Sequence, residues 1–444
     1  MTILVLMLSL TQNYLTRGFW GDEAWTSLIS QLPYKEMLKT TAADFHPPGY
    51  YTIIEAVYKF LPPTEIVTRS ISIIFYLLTI FMVFKLASYV RGKQFGLLSA
   101  AVVAVNPIFF IYAFEARNYT MFAFAATGSV FFLIELSKQF TLRRAFAFIL
   151  FSTLGIYTHY YMFFILAVQG LYLVLFDRGI LLKMIGVYFV VGVLYLPWIP
   201  FLLGQLNSVA GDYWIGGIDR RTHYEAFLRI LGGEHKNAYR PWLFGLSISL
   251  LAIGVAQHTL RHKFERPYLL TWLWAIVPFV LATLPGFRVG EIQLPFRSIF
   301  FWRYLTGASV PLAMVMVHTA QNFPKYLMWV SVGSVIVLSL AVDFLTFARV
   351  PYSFREAYRE KVVGQIQADD KIVTVLPSFA EVAYYRNRLG LNNDLVVSPE
   401  GLVQYSGKSL LDAYVANGMV TISDKIDGRY FELKPGQIVK VNSK

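Results

Sequence analysis

Over the first 347 positions the chain alternates long, nearly unbroken apolar runs with short polar turns, and beyond them that pattern stops. A helix needs ~20 apolar residues to cross a hydrocarbon core. Runs of about that size predict spans over residues 2–16, 66–90, 95–113, 119–137, 143–158, 160–176, 181–204, 241–259, 267–285, 302–320 and 324–347. The predicted fold is an all-α polytopic membrane protein with about 11 transmembrane helices. The first run has no basic segment before it and no small-residue cleavage site after it, so it reads as a retained span, not a signal peptide. Tyr50–Leu61 is apolar but short, which suits an interfacial helix. After Phe347, Lys371–Leu376 and Asp394–Val397 predict strands, and Phe379–Arg388 predicts a helix between them. Residues 1–347 thus make a transmembrane domain with long loops at 17–65, 205–240 and 286–301. Residues 348–444 make a small α/β extramembrane domain.

The turns orient the spans. Alternate turns hold Arg91 and Lys93; Lys138, Arg143 and Arg144; Arg178 and Lys183; Arg261, Lys263 and Arg266; and Lys325. The short turns between them hold Glu115 with Arg117, and His159. Basic short turns stay in the cytoplasm. The N-terminus is therefore predicted inside, and loops 17–65, 205–240 and 286–301 outside. An odd number of spans puts 348–444 outside as well, in a multi-pass protein of the inner or plasma membrane.

Composition agrees and narrows the partners. The chain is 56% hydrophobic and 15% charged, against ~25% charged in a soluble domain, and its mean hydropathy is +0.51. The net charge of +12 is dispersed between apolar runs, which argues against nucleic acid and for membrane lipids and anionic substrates. With no cysteine, disulfide and thiolate chemistry are excluded. Phosphate-cradling glycine loops, dinucleotide fingerprints, nucleophile elbows and metalloprotease helices are missing too, so a soluble nucleotide-sugar or ATP enzyme does not fit. A transporter or lipid flippase is the rival class, and it should place ionisable groups near the midplane. Lys85 and Glu135 instead lie near cytoplasmic ends of spans.

Chemistry concentrates in the outer loops. Gly18-Phe19-Trp20-Gly21-Asp22-Glu23-Ala24-Trp25 follows the first span. Adjacent carboxylates near low dielectric repel, so one should have a raised pKa unless a cation is close. Asp22 could also cap a helix over Glu23–Ser30. Further on comes Asp44-Phe45-His46-Pro47-Pro48-Gly49-Tyr50-Tyr51, where the prolines stiffen the backbone around His46. His46 could meet a phosphate, ligate a metal, or be a turn histidine. Glu115-Ala116-Arg117-Asn118-Tyr119 offers a guanidinium that either snorkels or forks onto a phosphate. His159, in Tyr157-Thr158-His159-Tyr160, is a ligand, a phosphate donor or an interfacial residue. Arg220, Arg221, Arg229, Arg297 and Arg303-Tyr304, with Asp212-Tyr213-Trp214, would add to an outward cationic pocket.

In this order the four early motifs resemble the polytopic GT-C glycosyltransferases of the protein O-mannosyltransferase and aminoarabinose-transferase branch. The closest similarity is to the bacterial family 39, or dolichyl-phosphate-mannose, type. Arg303-Tyr304-Leu305 with Pro311 resembles the Arg-Tyr-Leu-x-Pro element of a late span there. The resemblance covers residues 15–180 well and 295–320 loosely. It implies inverting transfer of a sugar from a polyprenyl-phosphate-linked donor to a hydroxyl of a glycan, lipid or protein acceptor. It also implies that Asp22 is the general base, with Glu23 supporting the acceptor, and that His46, Arg117 and Arg303 bind the donor phosphate. Asp44, Glu115, Tyr119, His159 and Tyr304 are further candidates. Some relatives carry Lys where His46 stands. No cofactor is implied with certainty and a divalent cation is left open; the metal ligands are not assigned. A polysaccharide ligase using a diphosphate-linked donor is the alternative within membrane enzymes.

Overall fold

The computed structural model describes residues 2–443 except 212–214, 216–217, 262–265, 287, 290–291, 294–297, 401 and 403–406. Every predicted span falls on a helix. Among the described residues, six helices are long and apolar enough to cross a bilayer unaided: Glu65–Arg91, Tyr119–Lys138, Arg178–Ser208, Arg240–Thr259, Arg266–Thr283 and Lys325–Phe347. Lys93–Ala104 and Pro107–Ala113 make a seventh only as a bent pair, at 67°. Pro107 has no N–H to continue the first helix, while the Asn106 side chain accepts from Phe109 N at 3.1 Å and starts the second. The bend delivers the chain to the Glu115–Tyr119 turn. The other predicted spans lie on Thr2–Thr16, Leu142–Thr158, Met162–Phe176 and Ser309–Gln321, with 15, 17, 15 and 13 residues. At ~1.5 Å per residue these are shorter than the hydrocarbon core.

Large apolar side chains such as Leu77, Phe81, Leu182, Phe189 and Val337 are exposed on these helices, as lipid-facing positions are. Buried charged residues also occur within the spans, about one turn from the end of a helix. Arg69 and Asp343 are both buried, in Glu65–Arg91 and Lys325–Phe347.

The loop after the first helix folds into three short helices, Gly21–Ile29, Tyr34–Ala42 and Gly49–Tyr58. Gly49–Tyr58, within the predicted interfacial stretch, packs against the end of Leu142–Thr158. A Cβ on Gly49 would stand 2.5 Å from the Tyr157 carbonyl oxygen. Backbone cannot yield as a side chain can. Gly49→Ala is therefore expected to cost about 1–3 kcal/mol, seen as a lower melting temperature in detergent; an unchanged melt would show that the contact relaxes freely.

The C-terminal region carries a five-stranded sheet. Its spatial order is 421–422, 395–398, 371–375, 429–434, 438–443, with the first four parallel and the last antiparallel. Helix Phe379–Arg388 connects the two central parallel strands, and its start and end match the expectation. This region does not stand apart. Phe19, Trp25, Leu28 and Tyr51 share one buried cluster with Phe379, Tyr384, Tyr385, Leu410 and Tyr414. Each such side chain contributes roughly 1.5–3 kcal/mol when fully buried, so the first loop and the C-terminal domain stabilise each other at one end of the helical bundle.

Candidate active site

Trp20, in extended geometry, occupies the capping position of helix Gly21–Ile29 and makes no side-chain capping bond. The expectation that Asp22 caps this helix therefore fails by two positions: Asp22 lies in the first turn, its side chain free of the backbone. The side chain keeps 36% of its surface exposed. Its neighbour Glu23 is fully buried, because successive positions on a helix point ~100° apart.

The two acids have different surroundings. Glu23 Oε1 accepts from Arg69 Nε at 2.7 Å and from the Ala116 N–H at 2.9 Å. Its Oε2 accepts from Arg69 Nη2 at 2.7 Å and Arg17 Nη1 at 3.0 Å. Burial alone would raise this carboxyl, but the Arg17 and Arg69 charges and hydrogen bonds hold it below the usual carboxylate range. Arg69 also donates to the carbonyls of Leu15, Arg17 and Gly18 at 2.6, 2.6 and 3.2 Å. Glu23 is thus the centre of a buried clasp joining the first loop, helix Glu65–Arg91 and the Glu115–Tyr119 turn. With no surface left for an acceptor, it does not take the supporting place expected of it. Asp22 is the accessible carboxylate.

Asp22 Oδ2 faces two guanidiniums, at 3.9 Å from Arg117 Nε and 3.7 Å from Arg303 Nη1. These are ion pairs beyond hydrogen-bond length. Arg117 is buried, and burial disfavours its charge, yet the Asp22 carboxylate keeps its pKa well above the ordinary value. Its Nη2 lies 3.2 Å from His46 Nε2, while His46 Nδ1 lies 2.9 Å from Asp44 Oδ2. An arginine can only donate. His46 therefore accepts at Nε2 and donates from Nδ1 to Asp44, so in this arrangement it aligns Arg117 instead of offering its own N–H to a phosphate. Arg303 sits over the Trp20 ring at 4.8 Å, and its Nη2 reaches Glu234 at 3.6 Å. The Nε atoms of Arg117 and Arg303 are buried without a hydrogen-bond partner, which leaves donor capacity for an anion.

The remaining candidates line this centre. His159 is buried, stacks on Phe122 with centroids 5.1 Å apart, and meets Tyr304 edge-on at 5.0 Å. Burial, with the nearby His46 and Arg117, lowers its pKa to about 3. It is an uncharged aromatic wall, its Nδ1 accepting from Tyr161 N at 3.1 Å. Tyr119 lies 5.9 Å from the Arg117 guanidinium. Glu115 is buried beside Arg17 at 3.7 Å, and burial pushes its carboxyl up to about 8 despite that guanidinium. A narrow apolar pocket with a free volume of only about 10 Å³, lined by Phe122, Ala126, Ile165, Trp274, Pro278 and Tyr304, lies next to this wall.

Of the later arginines, Arg229 joins the site through Glu234 and the Trp302 ring, whereas Arg220 and Arg221 are exposed at a helix start. Arg297 and Asp212-Tyr213-Trp214 lie outside the described residues. Arg17, Arg69 and Glu234 escape the sequence motifs. A lone arginine about one turn into an apolar helix was the available signal for Arg69; nothing local marks Glu234. Among the described residues, no three His, Asp or Glu side chains converge as metal ligands.

Over nearly its whole length the chain superimposes on ArnT from Cupriavidus metallidurans in the apo state. The TM-score is 0.64 at 13% identity, covering 98% of this chain and 93% of that one. The chain has the GT-C fold. The same GT-C protein bound to undecaprenyl phosphate matches at 0.63, again at 13% identity, with the same shares of both chains covered. The Archaeoglobus fulgidus oligosaccharyltransferase AglB, in complex with an inhibitory peptide and a dolichol-phosphate, matches at 0.52 and 11% identity. That alignment covers 99% of this chain and 74% of the other. Residues 45–203 match the family model for dolichyl-phosphate-mannose-protein mannosyltransferase, a stretch that includes His46, Arg117 and His159. No curated protein matches the chain by sequence.

Proposed function

We propose that this chain transfers a sugar from a polyprenyl-phosphate-linked donor to an acceptor hydroxyl, with inversion at the anomeric carbon. The observation that carries the reading is Asp22, an accessible carboxylate between two guanidiniums that each keep a buried unpaired donor. The acceptor O–H gives its proton to Asp22, its oxygen attacks the anomeric carbon, and the bond from that carbon to the phosphate oxygen breaks. The phosphate leaves carrying both electrons of that bond. Arg117 and Arg303 stabilise the developing dianion, as preorganised cations do, and drawing them toward phosphate frees Asp22 as the base. Asp44 and His46 hold Arg117 in line. ArnT bound to undecaprenyl phosphate and AglB bound to dolichol-phosphate support a lipid-phosphate ligand. The acceptor is a glycan, lipid or protein hydroxyl. The basic alternate turns support a multi-pass protein of the cell membrane whose site and C-terminal domain face away from the cytoplasm.

Arg117→Ala is expected to weaken binding of undecaprenyl phosphate to the purified chain about 10- to 100-fold, since charge-assisted hydrogen bonds contribute ~1.5–3 kcal/mol. Unchanged affinity would remove Arg117 from the phosphate site. Loss of one specific sugar from the envelope glycans and lipids of a deletion strain, read by mass analysis, tests the reaction itself.

A further inference from the structure

Helix Gly21–Ile29 carries Asp22 but has no side chain of its own to cap its first turn. Its first residue, Gly21, lies against the Glu381 carboxyl, which comes from helix Phe379–Arg388 of the C-terminal domain. The approach is close: a Cβ on Gly21 would stand 3.8 Å from Glu381 Oε2. The surrounding contacts are firm. Phe19 N donates to the Tyr385 hydroxyl at 2.6 Å, that hydroxyl donates to Glu65 Oε1 at 3.0 Å, and the rings of Phe19 and Tyr384 lie 4.8 Å apart.

We propose that Glu381 is a positioning residue of the transfer site: from the C-terminal domain it fixes the start of the Asp22 helix and sets a second carboxyl beside the base. This rests on the reading of Asp22 as the base. Burial pushes the Glu381 carboxyl up to about 8; the Asp22 charge adds to this and the Gly21 N–H opposes it. On the adjoining helix Phe354–Lys361, Arg355 is committed to Glu65 and Glu356 at 3.8 and 2.8 Å. Glu23, on the Asp22 helix, is closed off by Arg17 and Arg69. Asp22 is therefore the charge that Glu381 faces, and it strengthens the hold of Glu381 on its proton. The C-terminal domain is then part of the reaction centre.

The test is an infrared pH titration of protonated carboxyl groups in the purified full chain, with wild type, Glu381→Gln and Asp22→Asn compared. A band lost as the pH rises through about 8 should vanish in Glu381→Gln, and in Asp22→Asn its midpoint should fall by about one pH unit. Glu115 titrates in the same range and persists in both variants, which separates its band. In the deletion strain, Glu381→Ala at equal protein level should restore about 10- to 100-fold less of the missing sugar, with affinity for undecaprenyl phosphate unchanged. Glu381→Gln, which keeps the size of the side chain and an oxygen beside Gly21, should rescue most of it. A band indifferent to Asp22→Asn, full restoration by Glu381→Ala, or joint loss of transfer and lipid-phosphate binding would each overturn the proposal. Full transfer by Asp22→Asn would instead sink the base assignment, while the midpoint shift would still report the pairing of the two carboxyls.

Discussion

Asp22→Asn is expected to abolish sugar transfer while leaving the protein folded, extractable and able to bind undecaprenyl phosphate. The amide keeps the size of the side chain and an oxygen facing Arg117 and Arg303, so little of the packing changes. What it cannot do is take the acceptor proton. Loss of a positioned base slows transfer about 10²- to 10⁴-fold. The phosphate clamp survives, and removing the carboxylate charge that faces both guanidiniums should keep lipid-phosphate affinity equal to wild type or tighten it. The measurement pairs sugar restoration in the deletion strain with a binding isotherm for undecaprenyl phosphate. Wild-type restoration by the variant would take the base role away from Asp22.

Arg69→Ala should have the largest effect on the fold. Removing it strips three hydrogen bonds from backbone carbonyls and two from Glu23, and leaves Glu23 in a dry site with Arg17 as its one side-chain partner. Breaking a buried ion pair from one side costs about 3–5 kcal/mol, a large share of the stability of an ordinary domain. Thermal melting in detergent, followed by size-exclusion chromatography, should show a strongly destabilised or aggregated variant; a wild-type melt would mean that the clasp is dispensable. The same clasp has an acid limit. Because Glu23 is held below its unfolded value of about 4.3, its stabilisation is complete at neutral pH. It is lost as the pH falls below that value and through the lower folded one.

The bundle was largely legible in the chain because apolar runs and basic turns are local signals. The residues proposed as base and phosphate site were partly legible too, since Asp22, His46 and Arg117 each sit in a compact motif beside a turn. Span counting was harder. Pro107 breaks one run, and Leu142–Thr158 and Met162–Phe176 are too short to cross alone, features that hydropathy averages away. Glu23 and Asp22 looked equivalent as neighbours in sequence. Only the packing of helix Gly21–Ile29 shows one facing Arg69 and the other facing the opening. Glu234 and Glu381 were invisible for a common reason. Each meets a partner more than forty residues away, and no periodicity encodes such a meeting.

The core that the first loop shares with the C-terminal domain also acts as a check on membrane insertion. Phe19 and Tyr385 are 366 positions apart in the chain, which a ribosome adding ~5–20 residues per second covers in roughly 20–70 s. For that interval the loop lacks half of its interior, and the Asp22 helix has nothing holding its start. The two halves can meet only if both emerge on the same side of the bilayer. A chain that inserted one span too few or too many would strand residues 348–444 across the membrane from Phe19 and Trp25. Such a chain would expose aromatic surface on both sides and carry no assembled base. Docking of the first loop onto the C-terminal domain therefore requires that both lie on one side of the bilayer.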